Sequence, residues 1–146
     1  MDVFTRVKRS MIMAKIKSKN TLPERLLFTE LHRRGVRFHR HYKLVGRPDI
    51  AFRRENLAVF VDGDFWHGHN WKVLHQVPPK GFWRKKISRN MKRDRIVNKD
   101  LAALGWKVVR IWEHQVEKNQ SRCADRIVKA LSSRSVRAEH LTRPIF

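Results

Sequence analysis

Residues 46–64 read GRPDIAFRRENLAVFVDGD, and this stretch decides the predicted fold. Its two apolar runs, 48–53 and 57–62, flank a polar turn, so they predict two neighbouring antiparallel strands. Asp49 begins the first strand and Asp62 ends the second. Because paired strands lie about 5 Å apart, the two carboxylates can meet at one end of this hairpin.

The two acids indicate metal chemistry. Mg²⁺ prefers one or two carboxylates together with water and phosphate oxygens. Burying Asp49 on an apolar strand is costly without a partner, and a metal ion would be such a partner. A hydrogen bond of the Asp49 carboxylate within its own turn is the alternative. An imidazole such as His67 could take a proton from metal-bound water, which outlines a phosphodiesterase.

Further acids and imidazoles follow the second strand. Asp64 is either part of an ordinary Asp-Gly turn or a second acid of the site. His67 and His69 could instead form a zinc pair that His114 or Asp64 completes. That spacing is short and the chain has eight histidines, so we prefer His67 as a general base.

Helices and further strands are predicted around the hairpin. Thr21 and Glu24 have the spacing of a capping box at the start of the first helix, and Gly35 ends that helix. Periodicity predicts the remaining elements, which are strands at about 36–42 and 106–112 and helices at 82–104 and 121–131. This order predicts an α/β fold in which helices flank a mixed sheet.

Asp94 is an acid on the apolar face of the long helix. The same face carries Trp83, Ile87, Met91, Val97 and Leu101. A buried acid in this position needs a partner, and we expect either a catalytic imidazole or a neighbouring arginine.

The balance of charge indicates a polyanionic partner. Lysine and arginine number 34 against 13 acids, which gives a formal charge of +21. An apolar content of 41% argues against a disordered basic chain, so we predict a folded protein that binds nucleic acid. Ribosome-bound, membrane-surface and RNA-binding proteins are the alternatives.

Two basic segments should contact a phosphate backbone. Residues 80–99 contain nine lysines and arginines against one acid, and residues 3–23 contain no acid. We therefore predict a basic arm at 1–20 that becomes ordered on a phosphate backbone, with a disordered tail as the alternative. A single domain would follow at 21–131, and a basic, flexible tail at 132–146.

Cysteine use and hydropathy limit the setting. Cys123 is the single cysteine, which excludes an intrachain disulfide and a cluster of thiolates around zinc. No apolar run approaches the roughly 20 residues of a membrane span. We expect a cytoplasmic monomer with no membrane partner.

Together these segments resemble the very short patch repair endonucleases, bacterial enzymes that nick DNA beside T:G mismatches left by deaminated 5-methylcytosine. The likeness spans roughly residues 8–115. It rests on Arg9, Ser10 and Met13, Glu24 with Arg25 and Leu26, GRPD at 46–49, Gly63 with FWH at 65–67, Phe82 with Trp83, Lys86 with Ile87, Asn90, RDR at 93–95, LGW at 104–106 and Trp112 with Glu113.

The resemblance implies a restriction-endonuclease-like fold and Mg²⁺-dependent hydrolysis of double-stranded DNA that leaves a 5′-phosphate. It implies that Asp49 binds Mg²⁺ together with the backbone carbonyl of Val61. His67 would be the base that acts on water, Asp94 would stand behind it, and Glu24 would order the water shell of the metal. On sequence alone, the capping box is a sufficient explanation of Glu24.

DNA contacts are also implied. Phe65, Trp66 and Trp83 match aromatics that the repair enzymes intercalate beside the mismatch, although core packing is the alternative for each ring. The basic arm matches a segment that clasps the minor groove. The remaining DNA-binding candidates are Arg9, Met13, Lys86 and Asn90.

The sequence departs from the family in two places. The repair enzymes usually carry a histidine at position 62, and Asp62 could add a direct metal ligand here. The thiolate positions of the family's structural zinc site fall on Asp64, Trp71 and His114, and His69 alone is unchanged. We expect no tightly bound structural zinc, with weak binding by Asp64, His69 and His114 as the alternative.

The same nuclease core occurs in a group of phage homing endonucleases. A homing-type, site-specific endonuclease and a non-catalytic DNA-binding protein are therefore the alternatives to a repair enzyme. We expect a bacterial or phage-encoded protein associated with the nucleoid, with mismatch-repair proteins as further partners.

Overall fold

The structure of the protein is a computed structural model that describes residues 21–64, 67–69 and 81–142. The elements in these ranges are, in chain order, α1 (Leu22–Arg33), β1 (His39–Arg40), β2 (Ile50–Phe52), β3 (Leu57–Asp62), α2 (Phe82–Ala103), β4 (Lys107–Trp112), α3 (Glu113–Lys118) and α4 (Gln120–Thr142). The predicted arm at 1–20 lies outside the described residues.

The four described strands form one mixed sheet in the order β1-β2-β3-β4. β2 pairs antiparallel with both β1 and β3, and the polar turn at 53–56 joins β2 to β3. β4 runs parallel to β3, because α2 carries the chain back across the sheet before β4 begins. The predicted hairpin and the predicted mixed sheet are both confirmed.

Alternate residues of β3 enter two cores on opposite faces of the sheet. Leu57 and Val59 pack on one face with side chains of α1 and α4, among them Leu27, Leu31 and Ile127. Ala58 and Phe60 pack on the other face with Val97 and Leu101 of α2. Both faces are therefore covered by helices, as the predicted restriction-endonuclease-like fold requires.

The start of α1 has the predicted capping box. The backbone N–H of Thr21 donates to Oε2 of Glu24 at 3.0 Å, and Pro23 lies in the first turn. Glu24 is nevertheless buried, with 7% of its surface exposed. Its cap bond thus holds a carboxylate inside the protein, at the end of the helix nearest to Asp49.

Several predicted boundaries were wrong. β1 ends at Arg40 because His41 leaves the extended conformation, with φ at +46°. The short helix α3 was missed, and the last helix continues past residue 131 to Thr142. Arg134 holds this extension against the rest of the fold. Its guanidinium donates to the carbonyls of Glu55 at 3.0 Å and Gly105 at 2.7 Å.

Within the ranges that the structure describes, no helix combines the length and the apolar character needed to cross a membrane.

Candidate active site

Among the residues that the structure describes, three groups of acids and imidazoles lie near the end of β3. In each group, the possible ligand atoms lie within 4.8 Å of one another. We name them by one member each: the Asp49 cluster contains Glu24, His41 and Asp49, the His67 cluster contains Asp62, His67 and Asp94, and the His114 cluster contains Asp64, His69 and His114.

The Asp49 cluster is built from three chain segments. Asp49 precedes β2, and its Oδ2 accepts a 2.7 Å hydrogen bond from the backbone N–H of Val61 on β3. Its Oδ1 lies 4.0 Å from Nδ1 of His41. Glu24 reaches the same point from the first turn of α1. The predicted partners Glu24, Asp49 and Val61 are therefore brought together.

Burial and the neighbouring Glu24 raise the pKa of Asp49 to about 8. Burial disfavours the charged carboxylate, a hydrogen bond with the Glu24 carboxyl adds to this effect, and the N–H of Val61 opposes it. The buried carboxyl group of Glu24 and the half-buried one of Asp49 together favour a bound cation or proton. A divalent cation fits this set of oxygen ligands, so the residues present suit Mg²⁺ or a similar ion.

The His67 cluster joins the segment after β3 to the long helix α2. Nδ1 of His67 lies 2.6 Å from Oδ2 of Asp94 and 3.8 Å from Oδ1 of Asp62. Asp94 is buried, at 8% exposure, so the predicted pairing of this acid with an imidazole is present. Because Nδ1 contacts the carboxylate, Nε2 is the ring nitrogen left to exchange a proton with substrate or water.

Two opposing effects set the pKa of His67. Burial lowers it, but the hydrogen bond to Asp94 and the negative charges of Asp62 and Asp94 outweigh burial and raise the pKa above its usual value. The neutral, basic form of His67 is therefore reached at a higher pH than in an unperturbed imidazole.

Arg110 is a member of this site that sequence reasoning missed. Its Nη1 lies 2.9 Å from Oδ1 of Asp62 and 3.5 Å from Oδ1 of Asp94, and its Nε donates to Oδ1 of Asn98 at 2.8 Å. Its guanidinium lies 4.2 Å from the centre of the Phe60 ring. The alternation of side chains along β4 could have indicated its position. Arg110 pairs with Phe60 across the sheet, so its side chain lies on the same face as Phe60.

Asp62 lies in the His67 cluster and not in the Asp49 cluster. It has the same strand parity as Ala58 and Phe60, so its side chain is on the face that α2 covers. Burial raises the pKa of Asp62, and the charges of His67 and Arg110 oppose this. The role of Asp62 as a direct metal ligand beside Asp49 stays a prediction.

The His114 cluster has the geometry of a hydrogen-bonded pair with a third imidazole beside it. Nδ1 of His114 lies 2.7 Å from Oδ1 of Asp64, and the rings of His69 and His114 are 4.5 Å apart. The N–H of Asp64 donates to Glu113 at 3.4 Å. Weak zinc binding at this cluster stays a prediction, and Trp71 lies outside the described residues.

The exposed side of α2 is strongly basic. Its exposed cationic residues are Lys85, Arg89, Lys92, Arg93, Arg95 and Lys99, and the DNA-binding candidates Lys86 and Asn90 are half-buried on the same helix. Trp83 is only 4% exposed and packs edge-to-face on Phe82, with ring centres 4.9 Å apart. A contact between Trp83 and DNA stays a prediction.

The other predicted DNA contacts, Phe65, Trp66, Arg9 and Met13, lie outside the described residues.

Residues 1–73 match the family described as DNA mismatch endonuclease Vsr. A type II nicking enzyme of Neisseria meningitidis serogroup C is 37% identical over 98% of this chain and 99% of its own length. A type II nicking enzyme of Haemophilus parainfluenzae is 39% identical over 94% of this chain and all of its own length. The DNA mismatch endonuclease Vsr of Escherichia coli K12 is 36% identical over 77% of this chain and 73% of its own.

Proposed function

We propose, since this chain belongs to the Vsr DNA mismatch endonuclease family, that it nicks double-stranded DNA at a T:G mismatch by Mg²⁺-dependent hydrolysis. That it is a DNA endonuclease follows from the family. The dependence on Mg²⁺, the specificity for a T:G mismatch and the roles of individual residues are what we propose.

One observation carries the proposal. Val61 and Asp62 are consecutive residues, and they connect the two clusters: the N–H of Val61 binds Asp49, and the carboxylate of Asp62 lies 3.8 Å from His67. One step along β3 therefore separates a site that suits a divalent cation from a carboxylate-supported imidazole. Cleavage of a phosphodiester can combine these two functions, a metal that activates water and a base that accepts its proton.

The residues of the two clusters would divide the reaction between them. When bound by Asp49 and Glu24, Mg²⁺ would supply a Lewis acid that offsets the charge of the scissile phosphate. His67 would accept a proton from the attacking water at Nε2. Asp94 would orient the ring through Nδ1 and stabilise the imidazolium that forms.

Arg110 has a positioning role in this scheme. Its cation lies between the carboxylates of Asp62 and Asp94, so it offsets their repulsion behind His67. The phosphate backbone would lie along the exposed cations of α2, and the affinity for DNA should fall steeply as the salt concentration rises.

The test uses closed circular plasmids that differ at one base pair, with T:G in one and T:A in the other. We expect the T:G circle to be nicked in the presence of Mg²⁺, and neither circle to be nicked with a chelator. Ligase should reseal the product, because resealing requires a 5′-phosphate. Equal nicking of the two circles would refute mismatch recognition while leaving the endonuclease intact.

A second candidate is site-specific nicking of fully paired DNA. It is favoured by the nicking enzymes of Neisseria meningitidis and Haemophilus parainfluenzae, which match at least 94% of this chain, whereas the Escherichia coli mismatch enzyme matches 77%. In the plasmid assay, this function would give nicks at one fixed position in both circles.

A further inference from the structure

We infer that His41 is a direct ligand of the divalent ion, which would then be held by an imidazole as well as by the carboxylates of the Asp49 cluster. The inference rests on the proposed metal-dependent function. Sequence reasoning assigned no role to His41, and neither the family description nor the names of the relatives point to this residue.

The distance between His41 and Asp49 permits both side chains to bind one ion, on nearly opposite sides of it. Two atoms that each bind an ion at about 2.1 Å can lie at most about 4.2 Å apart, and Nδ1 of His41 lies 4.0 Å from Oδ1 of Asp49. This separation is too long for a hydrogen bond. Oδ2 of Asp49 already accepts from Val61, so Oδ1 is the oxygen that faces the imidazole.

The backbone of His41 supports a functional role. Its φ of +46° lies in the left-handed region, which is disfavoured for residues with a Cβ and is found most often where surrounding structure enforces it. Here, backbone hydrogen bonds to the segment before β2 hold His41 in this conformation. The N–H of His41 donates to the carbonyl of Asp49 at 3.1 Å, and the N–H of Tyr42 donates to that of Pro48 at 3.3 Å.

The imidazole ring is also held in place by the core. It lies edge-on against the ring of Phe28, with centres 6.1 Å apart and planes 83° to each other. Phe28 is 2% exposed and belongs to the core between α1 and the sheet. A ligand fixed by packing loses little conformational entropy when an ion binds, which is the arrangement expected of a built metal site.

An imidazole ligand changes which ions the site prefers. Carboxylate and water ligands suit Mg²⁺, whereas imidazole adds affinity for first-row transition ions such as Mn²⁺. Loss of the ring should therefore weaken Mn²⁺ binding at least about tenfold. It should weaken Mg²⁺ binding less.

Mn²⁺ is the probe for the test, because a nitrogen bound to it gives a ¹⁴N coupling in pulsed electron paramagnetic resonance. We expect this coupling in the wild-type protein without DNA, and we expect ¹⁵N labelling of histidine to change it. His41→Asn should abolish the coupling, and asparagine tolerates the left-handed backbone. The control His39→Gln alters an exposed imidazole of β1 and should keep the signal, as should His67→Gln.

The outcomes separate this inference from the function it rests on. Mn²⁺ binding without any ¹⁴N coupling, or a coupling that survives in His41→Asn, would overturn the inference and leave the nuclease proposal standing. A wild-type protein that nicks DNA but binds no Mn²⁺ or Mg²⁺ would overturn both. The labelling experiment needs no variant: if ¹⁵N-histidine leaves the spectrum of the wild type unchanged, the inference fails even where His41→Asn does not fold.

Discussion

The Nδ1 atom of His67 lies 2.6 Å from the Oδ2 atom of Asp94, although the two residues belong to different structural units. His67 follows the end of β3, and Asp94 lies in the middle of α2 on its buried face. The contact fixes the imidazole against a rigid helix. It also leaves Nε2 as the ring nitrogen that does not contact Asp94, because the carboxylate binds only Nδ1.

Replacing Asp94 with asparagine should slow nicking about 10²- to 10⁴-fold, the range typical for loss of acid–base catalysis. The Asp94 carboxylate raises the pKa of His67, so its removal should also shift the acidic limb of the pH–rate profile to lower pH. Single-turnover nicking rates across the neutral range measure both effects. The control Asp100→Asn changes an exposed acid of the same helix and should alter neither, and an unshifted limb in Asp94→Asn would contradict the assignment.

Replacing Asp49 with asparagine should nearly abolish nicking while leaving the affinity for DNA close to that of the wild type. Loss of a metal ligand removes several kcal/mol of transition-state stabilisation, which corresponds to a rate loss on the order of a thousandfold. Gel-shift titration and nicking assays on the same duplex separate binding from cleavage. Wild-type rates in this variant would exclude Asp49 from the reaction.

Metal binding should strengthen as the pH rises toward 8. A proton and a divalent cation compete for Asp49, whose pKa burial and Glu24 raise to about 8, so the apparent metal affinity should change up to about tenfold per pH unit below that value. Calorimetric titration with Mg²⁺ at several pH values, in buffers of different ionisation heat, would also detect the released proton. A pH-independent affinity would count against Asp49 as the proton-linked ligand.

The same pKa has a consequence for folding of the metal-free protein. The folded pKa of about 8 lies above the ordinary value of 3.8, so the folded state holds an extra proton between these values. The stabilisation from Asp49 is then complete below about pH 4 and is lost as the pH rises toward 8. In urea denaturation, the free energy of unfolding should therefore decline more steeply between about pH 4 and pH 8 in the wild type than in Asp49→Asn.

Local patterns were sufficient to predict most of the fold. The apolar run at 57–62, the polar turn at 53–56 and the long apolar stripe of α2 each depend on neighbouring residues, and all three were confirmed. The last helix was predicted too short because its extension depends on bonds from Arg134 to distant carbonyls. Such long-range contacts leave no periodic signal in the sequence.

The candidate site was predictable only in part, for geometric reasons. Asp94 was found because an acid on an apolar stripe must be paired. The position of Asp62 was not predicted. Alternation along β3 shows which residues share a face with Asp62, but not which face α2 covers. His41 was missed because the sequence predicted no pairing between the 36–42 strand and the segment of Asp49. In the structure, the β1–β2 register that opposes Arg40 to Ile50 places His41 opposite Asp49.

Replacing Arg110 with methionine should destabilise the protein by about 3 kcal/mol, because it leaves the buried carboxylate of Asp62 without its cation. Burial already raises the pKa of Asp62, so the loss should be larger at neutral than at acidic pH, where this group takes up a proton. Adding Asp62→Asn should restore part of the stability, as measured by urea denaturation. Arg122→Met, on the exposed surface of α4, should change stability by no more than about 0.5 kcal/mol. Equal losses in the two arginine variants would show that the Asp62 pair contributes little.

Replacing Gly68 with alanine should lower both stability and nicking activity, whereas Gly35→Ala should lower stability alone. Both glycines have a φ of +75°, so each substitution incurs the same backbone penalty of about 1 kcal/mol. A Cβ at Gly68 would also lie 2.6 Å from Sδ of Met91 on α2, while none of the atoms described around Gly35 lies within 4 Å of such a Cβ. Overpacking at Gly68 should add about 1 to 2 kcal/mol and displace the neighbouring His67 from Asp94.

Met91→Ala tests this explanation, because it removes the side chain against which the new Cβ would press. In the Gly68→Ala background it should recover nicking activity, even though the cavity left by the shortened side chain has its own cost in stability. Urea denaturation and single-turnover nicking would be measured for the single and double variants. If Gly68→Ala nicked DNA at the wild-type rate, the position of His67 would not depend on the close packing of this turn against α2.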